Sequence, residues 1–465
     1  MQDDKLKELI KNLVREYVEE PNRARAPIIQ AGVFSTVNEA VAAAKTAQEK
    51  YEELSLEMRR KVIESIRCHM RPLIEEFAQE ALEETGMGRY EDKIQKLKLA
   101  INKTPGVEDL RTEAETGDNG MTLYELSAYG VIGAVTPSTN PVDTLVCNAI
   151  GMLAAGNAVF FSVHPGAKNV SKKAVEKLNE IVFDACGIQN MIVTICEPSI
   201  EAAQELMKHP DVSLLVVTGG PGVVRQAMQS GKKTIGAGAG NPPVIVDETA
   251  NVEKAAADIV AGASFDNNIL CIAEKSVIAV KDIVSYLILQ MEKQGAYYVN
   301  EPAVIQKLVE LTIGENGSPS RKFIGKDASY ILKEAGISVD YDVRVIIMNV
   351  PKDHPFVVKE MLMPILPIVT TENFEEALCV GIGVEQKLHH TAIMHSQNIG
   401  RLNKAAKKFQ TSIFVKNGPS FAGLGFGGEG AATFTIATPT GECTTTAKDF
   451  ARRRRCVLTD GFSIR

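Results

Sequence analysis

Residues 264–275 read SFDNNILCIAEK and place Cys271 inside a short apolar run, just behind Asn267 and Asn268. A deprotonated cysteine sulfur is a strong nucleophile and can carry an acyl group as a thioester. A buried structural thiol fits the same segment, so this stretch alone leaves both readings open. Asn140, in residues 135–141 (VTPSTNP), offers a side-chain amide donor, although an asparagine before proline is also an ordinary turn residue. Thr218, Gly219, Gly220 and Gly222 follow an apolar run in LVVTGGPG. A strand-to-helix junction there would aim backbone N–H groups at a phosphate; a plain turn would look the same.

Other chemistry is less well supported. The eight cysteines show no CxxC or Cys/His ligand spacing, so no metal site is expected. Nothing suggests a disulfide framework, which fits a reducing compartment. His389, His390 and His395 cluster without a metal motif and read as polar residues near a loop. A formal charge of −7 argues against nucleic-acid and anionic-membrane partners. The basic run 452–455 is the local exception and reads as a solvated or subunit-facing strand edge. No apolar run approaches the roughly 18 residues of a membrane span, and no signal peptide is recognised.

The elements that must position these residues follow from hydrophobic periodicity. A chain of 465 residues exceeds one ordinary core, and its 45% hydrophobic and 23% charged content is that of a globular protein. Leu6, Leu9, Leu13 and Tyr17 lie on one stripe of an amphipathic helix expected over 3–20, broken by Pro21. Helical patterning dominates 36–99. Residues 111–129 form two strand-like runs joined by Gly117-Asp118-Asn119-Gly120, a hairpin turn. From 130 to 246, and again from 273 to 415, short apolar runs alternate with helical ones, the signature of parallel βαβ sheets.

Five motifs, taken together and in order, resemble the CoA-acylating aldehyde dehydrogenases, especially those packaged in bacterial microcompartments. They are the Cys271 segment, VTPSTNP, LVVTGGPG, residues 360–367 (EMLMPILP) and residues 411–430 (TSIFVKNGPSFAGLGFGGEG). The resemblance implies an α/β aldehyde dehydrogenase fold: two Rossmann-like parallel-sheet domains plus a small β oligomerisation arm. It divides the chain into an N-terminal helix (1–20), a cofactor domain (21–235, with the 111–129 hairpin in the arm), a nucleophile domain (236–430) and a C-terminal segment completing the arm (431–465). It also implies an encapsulation role for the N-terminal helix, a homodimer or homotetramer, and residence in the bacterial cytoplasm inside a microcompartment.

Within that family Cys271 would attack the aldehyde, and Asn140 with the Cys271 N–H would bind the resulting oxyanion. NAD is the expected cofactor, held by Thr218, Gly219, Gly220 and Gly222, with Glu360 on the nicotinamide ribose and His164 near the adenosine. Residues 162–167 (SVHPGA) lack the glutamate of the KPxE motif in hydrolytic relatives, which leaves NADP open. Thr139, Ile269, Leu270, Ile272, Ser420 and Phe421 are expected to wall the substrate pocket. Hydrolytic members carry a glutamate base in the stretch that here reads IGAGAGNPP (235–243), at Gly236 or a residue beside it. Without that base the acyl group should pass to coenzyme A rather than water. The expected reaction is oxidation of a short aliphatic aldehyde, acetaldehyde or propionaldehyde, to its acyl-CoA. The alternatives are a hydrolytic enzyme with another base, a non-catalytic cargo or scaffold protein, and a thiol hydrolase. The last would need a histidine paired with Cys271, and no recognisable spacing supplies one.

Overall fold

The alternating apolar runs become two parallel sheets in the computed structural model, which describes residues 32–462 and Ile464. The helix expected over 3–20 lies outside the described residues. β1 (Val33–Phe34) is followed by the hairpin strands β2 (Glu113–Gly117) and β3 (Gly120–Ala128). Then come β4 (Val131–Val135), β5 (Ala158–Ser162), β6 (Ile192–Ile195), β7 (Val212–Thr218) and β8 (Lys233–Ala237). The first sheet has the order β1-β6-β5-β4-β7-β8. Strands β4, β5 and β6 are buried on almost every residue, as expected for a parallel sheet covered by helices on both faces. The order reverses at β4: the chain steps first to β5 on one side and later to β7 on the other. In such sheets the crevice at the carboxyl ends of those strands is the preferred ligand site.

The second sheet uses β9 (Pro243–Val246), β10 (Ser276–Val280), β11 (Ala296–Tyr298), β12 (Val345–Asn349), β13 (Ile365–Thr371), β14 (Thr391–His395) and β15 (Ile413–Lys416). Its order is β11-β12-β13-β10-β9-β14-β15. Ile365, Leu366 and Pro367, the end of the EMLMPILP motif, open the strand β13 between β10 and β12.

The chain then forms β16 (Ile436–Ala437), β17 (Cys443–Thr444) and β18 (Ala451–Thr459). β18 pairs antiparallel with β3, giving a separate three-stranded sheet β18-β3-β2. The basic run lies on its outer edge. Arg453 stacks 3.9 Å from the Tyr124 ring centroid and reaches Glu113 at 2.6 Å. Val457 and Leu458 at its far end are exposed. The segment after 430 is not all arm, however, because β16 packs beside β8 and turns residues into the cavity described next.

Candidate active site

Each reactive side chain is placed by a local conformational constraint. β4 ends at Val135, and Pro141 opens the long buried helix Pro141–Ala154. Asn140 is the N-cap residue of that helix, yet its side chain makes no cap bond. Its amide is therefore spent elsewhere: Nδ2 reaches Thr139 Oγ1 at 3.2 Å, and Oδ1 accepts from Lys96 Nζ at 2.7 Å.

Cys271 follows a run of three left-handed residues, Asp266, Asn267 and Asn268, with φ of 47°, 54° and 66°. Asp and Asn tolerate this region far better than other side-chain-bearing residues. The run is pinned by its own side chains. The Asp266 carboxylate accepts from Arg89 N at 2.7 Å and lies 2.5 Å from Lys96 Nζ. Asn267 donates to Gly325 O and to Asp327. Asn268 donates to Ala263 O and Glu274 O. Lys275 closes the loop from behind, donating to Asn268 O at 2.8 Å, Asn268 Oδ1 at 2.6 Å and Leu270 O at 3.1 Å.

These two segments meet in a cavity of about 190 Å³ at the carboxyl ends of β4, β7 and β8. Cys271, Asn140, Thr139, Ile269, Thr218, Gly219, Gly220 and Glu360 line it, as the sequence reading expects. Ala237, Gly238, Leu362, Phe434 and Ile436 line it as well and were not anticipated. Leu270 and Ile272 do not; they face the core on the opposite side of the loop. Ser420 does not either. Its N–H and hydroxyl both bind the Glu274 carboxylate at 2.7 Å, which buries it behind the nucleophile loop. Phe421 packs on Phe265 and Phe426 in an aromatic cluster. His164 lies at the end of β5, where its Nδ1 accepts from Gly166 N at 3.0 Å and caps its own turn. Gly222 also lies off the cavity wall, one residue inside the Pro221–Met228 helix. His390 and His395 are not loop-surface residues but fully buried ones.

Burial is the main cause of the shifts in the ionisable groups around the cysteine. Burial pushes the Cys271 thiol up to about 12, with Glu360 adding to the rise; Lys275 and the backbone N–H groups of Cys271 and Ile272 pull it down. Burial raises Glu360 and takes Glu274 up to about 7. Burial lowers Lys275 to about 8 and His390 to about 4. Gly240 explains the closeness: a Cβ there would meet Cys271 O at 2.6 Å and the His390 ring at 2.8 Å. Only glycine lets this backbone lie against the cysteine loop.

Strand alternation also locates the expected base position. A Cβ on Gly236 would point away from the cavity, 2.7 Å from Val224 Cγ1, whereas its neighbour Ala237 lines the cavity with Cys271. Gly236 is therefore corrected to Ala237. Among the described residues Glu360 is the one carboxylate on the wall. A cofactor fits the opposite rim. Cβ positions at Gly219 and Gly220 face open space, and the Pro221–Met228 helix begins there with its N–H groups toward it. A second cavity of about 510 Å³ shares Gly238 and Ala239 with the first and carries Arg225, Lys387 and His389.

Comparison with known proteins identifies the family. The pattern of the aldehyde dehydrogenase family matches residues 24–300. The chain belongs to the aldehyde dehydrogenase family. Propanal dehydrogenase (CoA-propanoylating) of Salmonella typhimurium is 52% identical over 466 residues, covering all of both chains. Among solved structures, the propionaldehyde dehydrogenase of Rhodopseudomonas palustris with bound CoA and an acylated cysteine is 53% identical. It superposes with a TM-score of 0.92 over 93% of this chain and 99% of that one. A propionaldehyde dehydrogenase from the fucose utilisation microcompartment of Clostridium phytofermentans is 46% identical, with a TM-score of 0.92 over 94% and 100% of the two chains. Among the described residues, no helix is long and apolar enough to cross a membrane.

Proposed function

We propose that this protein is a CoA-acylating aldehyde dehydrogenase. It converts a short aliphatic aldehyde, NAD⁺ and CoA to acyl-CoA, NADH and a proton, reversibly. The observation that carries this reading is the cavity wall shared with Cys271, where Ala237, Gly238 and Ala239 stand in place of a carboxylate base.

Cys271, having released its thiol proton to solvent, forms a bond from sulfur to the carbonyl carbon, and the carbonyl π pair moves onto oxygen. Asn140 Nδ2–H and the Cys271 N–H stabilise that charge. Such a donor contributes about 3 kcal/mol in the transition state. A nicotinamide dinucleotide bound here would supply the hydride acceptor, and loss of the hydride from the tetrahedral carbon leaves Cys271 as a thioester. Thr218, Gly219 and Gly220 would hold the dinucleotide and Glu360 its nicotinamide ribose. The CoA thiolate then attacks the acyl carbon, and the Cys271 thiolate departs. The cationic second cavity suits the phosphates of CoA, and its shared wall leads to the thioester. Ile269, Leu362, Phe434 and Ile436 give the first cavity apolar walls, which suit a short aliphatic aldehyde, propionaldehyde or acetaldehyde.

The β18-β3-β2 sheet, with exposed Val457 and Leu458, supports homo-oligomerisation through this arm. The N-terminal segment would direct packaging within a bacterial microcompartment. The direct test is NADH formation from acetaldehyde, propionaldehyde and butyraldehyde with and without CoA. Sustained turnover only with CoA, and acyl-CoA as product, is the expected result.

A further inference from the structure

Lys96 is 1% exposed, on the buried face of the helix Tyr90–Lys103. A buried ammonium is costly unless well paired. This one is spent on both halves of the site at once. Its Nζ donates to Asn140 Oδ1 at 2.7 Å, lies 2.5 Å from Asp266 Oδ2 and 3.6 Å from Asp143 Oδ2. Asp266 opens the left-handed run that carries Cys271, so a single cation joins the amide in the cavity to the nucleophile loop.

The chemistry of the contact fixes an orientation. An ammonium has donors and no acceptor, so the Asn140 atom it meets must be the amide oxygen. The amide nitrogen then lies at the other end, 3.2 Å from Thr139 Oγ1, with a second hydrogen for the cavity. No cap bond to the following helix performs this task. Rotated by half a turn, the same amide would turn its oxygen toward the developing oxyanion and repel it. Nor is Lys96 needed merely to neutralise Asp266, because Lys93 Nζ lies 3.4 Å from the same carboxylate.

We propose that Lys96 is a positioning residue for the reaction, holding the Asn140 N–H toward the tetrahedral oxygen while tying that amide to the cysteine loop through Asp266. This rests on the reading of Asn140 as an oxyanion donor.

The test is a double-mutant comparison with propionaldehyde, NAD⁺ and CoA. Asn140→Ala should lower kcat about 100-fold. Lys96→Met should lower it about 10- to 100-fold, with the KM for NAD⁺ unchanged. The double variant should be no worse than about threefold below Asn140→Ala, since both act through one amide. Losses that multiply would overturn the proposal.

Because Lys96→Met leaves two carboxylates facing Lys93, the comparison is repeated in Lys96→Met/Asp143→Asn, which keeps the buried charges balanced. A balanced variant with a wild-type melting temperature and a persistent kcat loss supports positioning. Recovery of wild-type kcat makes Lys96 a structural counterion and overturns it. If Asn140→Ala alone leaves kcat unchanged, the oxyanion reading itself has failed, an outcome separate from multiplying losses.

Discussion

Omitting CoA should convert a steady enzyme into a single-turnover one, and restoring a carboxylate at Ala237 should relieve the block. In the native chain the Cys271 thioester shares its cavity with Ala237, Gly238 and Ala239, which cannot take a proton from water, and the carboxylate of that cavity, Glu360, is assigned to the nicotinamide ribose. NADH should appear as a burst of about one equivalent per site and then stall. A well-placed general base accelerates such a step by about 10²- to 10⁴-fold, or about 3–5 kcal/mol of barrier. Ala237→Glu places a carboxylate on the face of β8 that lines the cavity, whereas Gly236→Glu drives one into Val224. CoA-independent release of free acid should therefore rise at least about tenfold in Ala237→Glu, below the full range because the pose is not optimised. The new carboxyl shares the burial that raises Glu360, so its activity as a base should climb with pH. Stopped-flow NADH amplitude and quantified free acid read the two quantities. Rapid multiple turnover to free acid by the wild-type protein without CoA would refute the acyl-transfer reading. A gain in Gly236→Glu and none in Ala237→Glu would refute the strand alternation.

Cys271→Ser should bind NAD⁺ and lose nearly all turnover, because an alcohol is a far poorer nucleophile near neutral pH; more than a tenth of wild-type activity would remove Cys271 from the mechanism. In the cofactor-free protein, iodoacetamide should label Cys271 more slowly at pH 8 than the exposed Cys68 and Cys379, since burial and Glu360 hold its thiol near 12. Glu360→Gln removes the second of those causes and should speed labelling, read by peptide mass spectrometry; slower labelling would contradict it. His395 is lowered to about 3 by burial, so the unfolded chain binds a proton that the native state refuses between pH about 3 and 6.5. Stability from this group is complete above 6.5 and falls as pH drops through that window, while Glu274, raised to about 7, contributes in the opposite sense between about 4.5 and 7. His395→Gln should flatten the loss of urea midpoint between pH 7 and 5, and an unchanged slope would show that other groups dominate.

What could be read from the chain divides along physical lines. The parallel sheets were legible because β4, β5, β7, β10 and β14 are short, mostly apolar runs set between helices. Cys271 and Asn140 were legible because their chemistry needs those residue types and their motifs lie in a recognised order. The wall was legible only in part. In a loop pinned by three left-handed residues, neighbours do not share a face: Ile269 reaches the cavity while Leu270 and Ile272 turn into the core. Phe434 and Ile436 come from a segment assigned to the arm, and nothing local in 431–437 announces that it crosses to β8 first.

Lys96 is the instructive omission. The helix Tyr90–Lys103 buries Lys93, Ile94, Lys96, Leu97 and Ala100 on one face. Periodicity places those lysines among the apolar positions, which is a signal in itself, because lysine on a buried stripe demands carboxylate partners. Those partners, Asp143 and Asp266, are 47 and 170 residues away in sequence and become neighbours only when both sheets have formed. The oxyanion donor and the nucleophile thus come from different sheets, and the group that aligns them comes from a helix before either. Asn140 could be singled out by its motif, but the direction of its amide is a property of the assembled fold, set by an ammonium that can only donate.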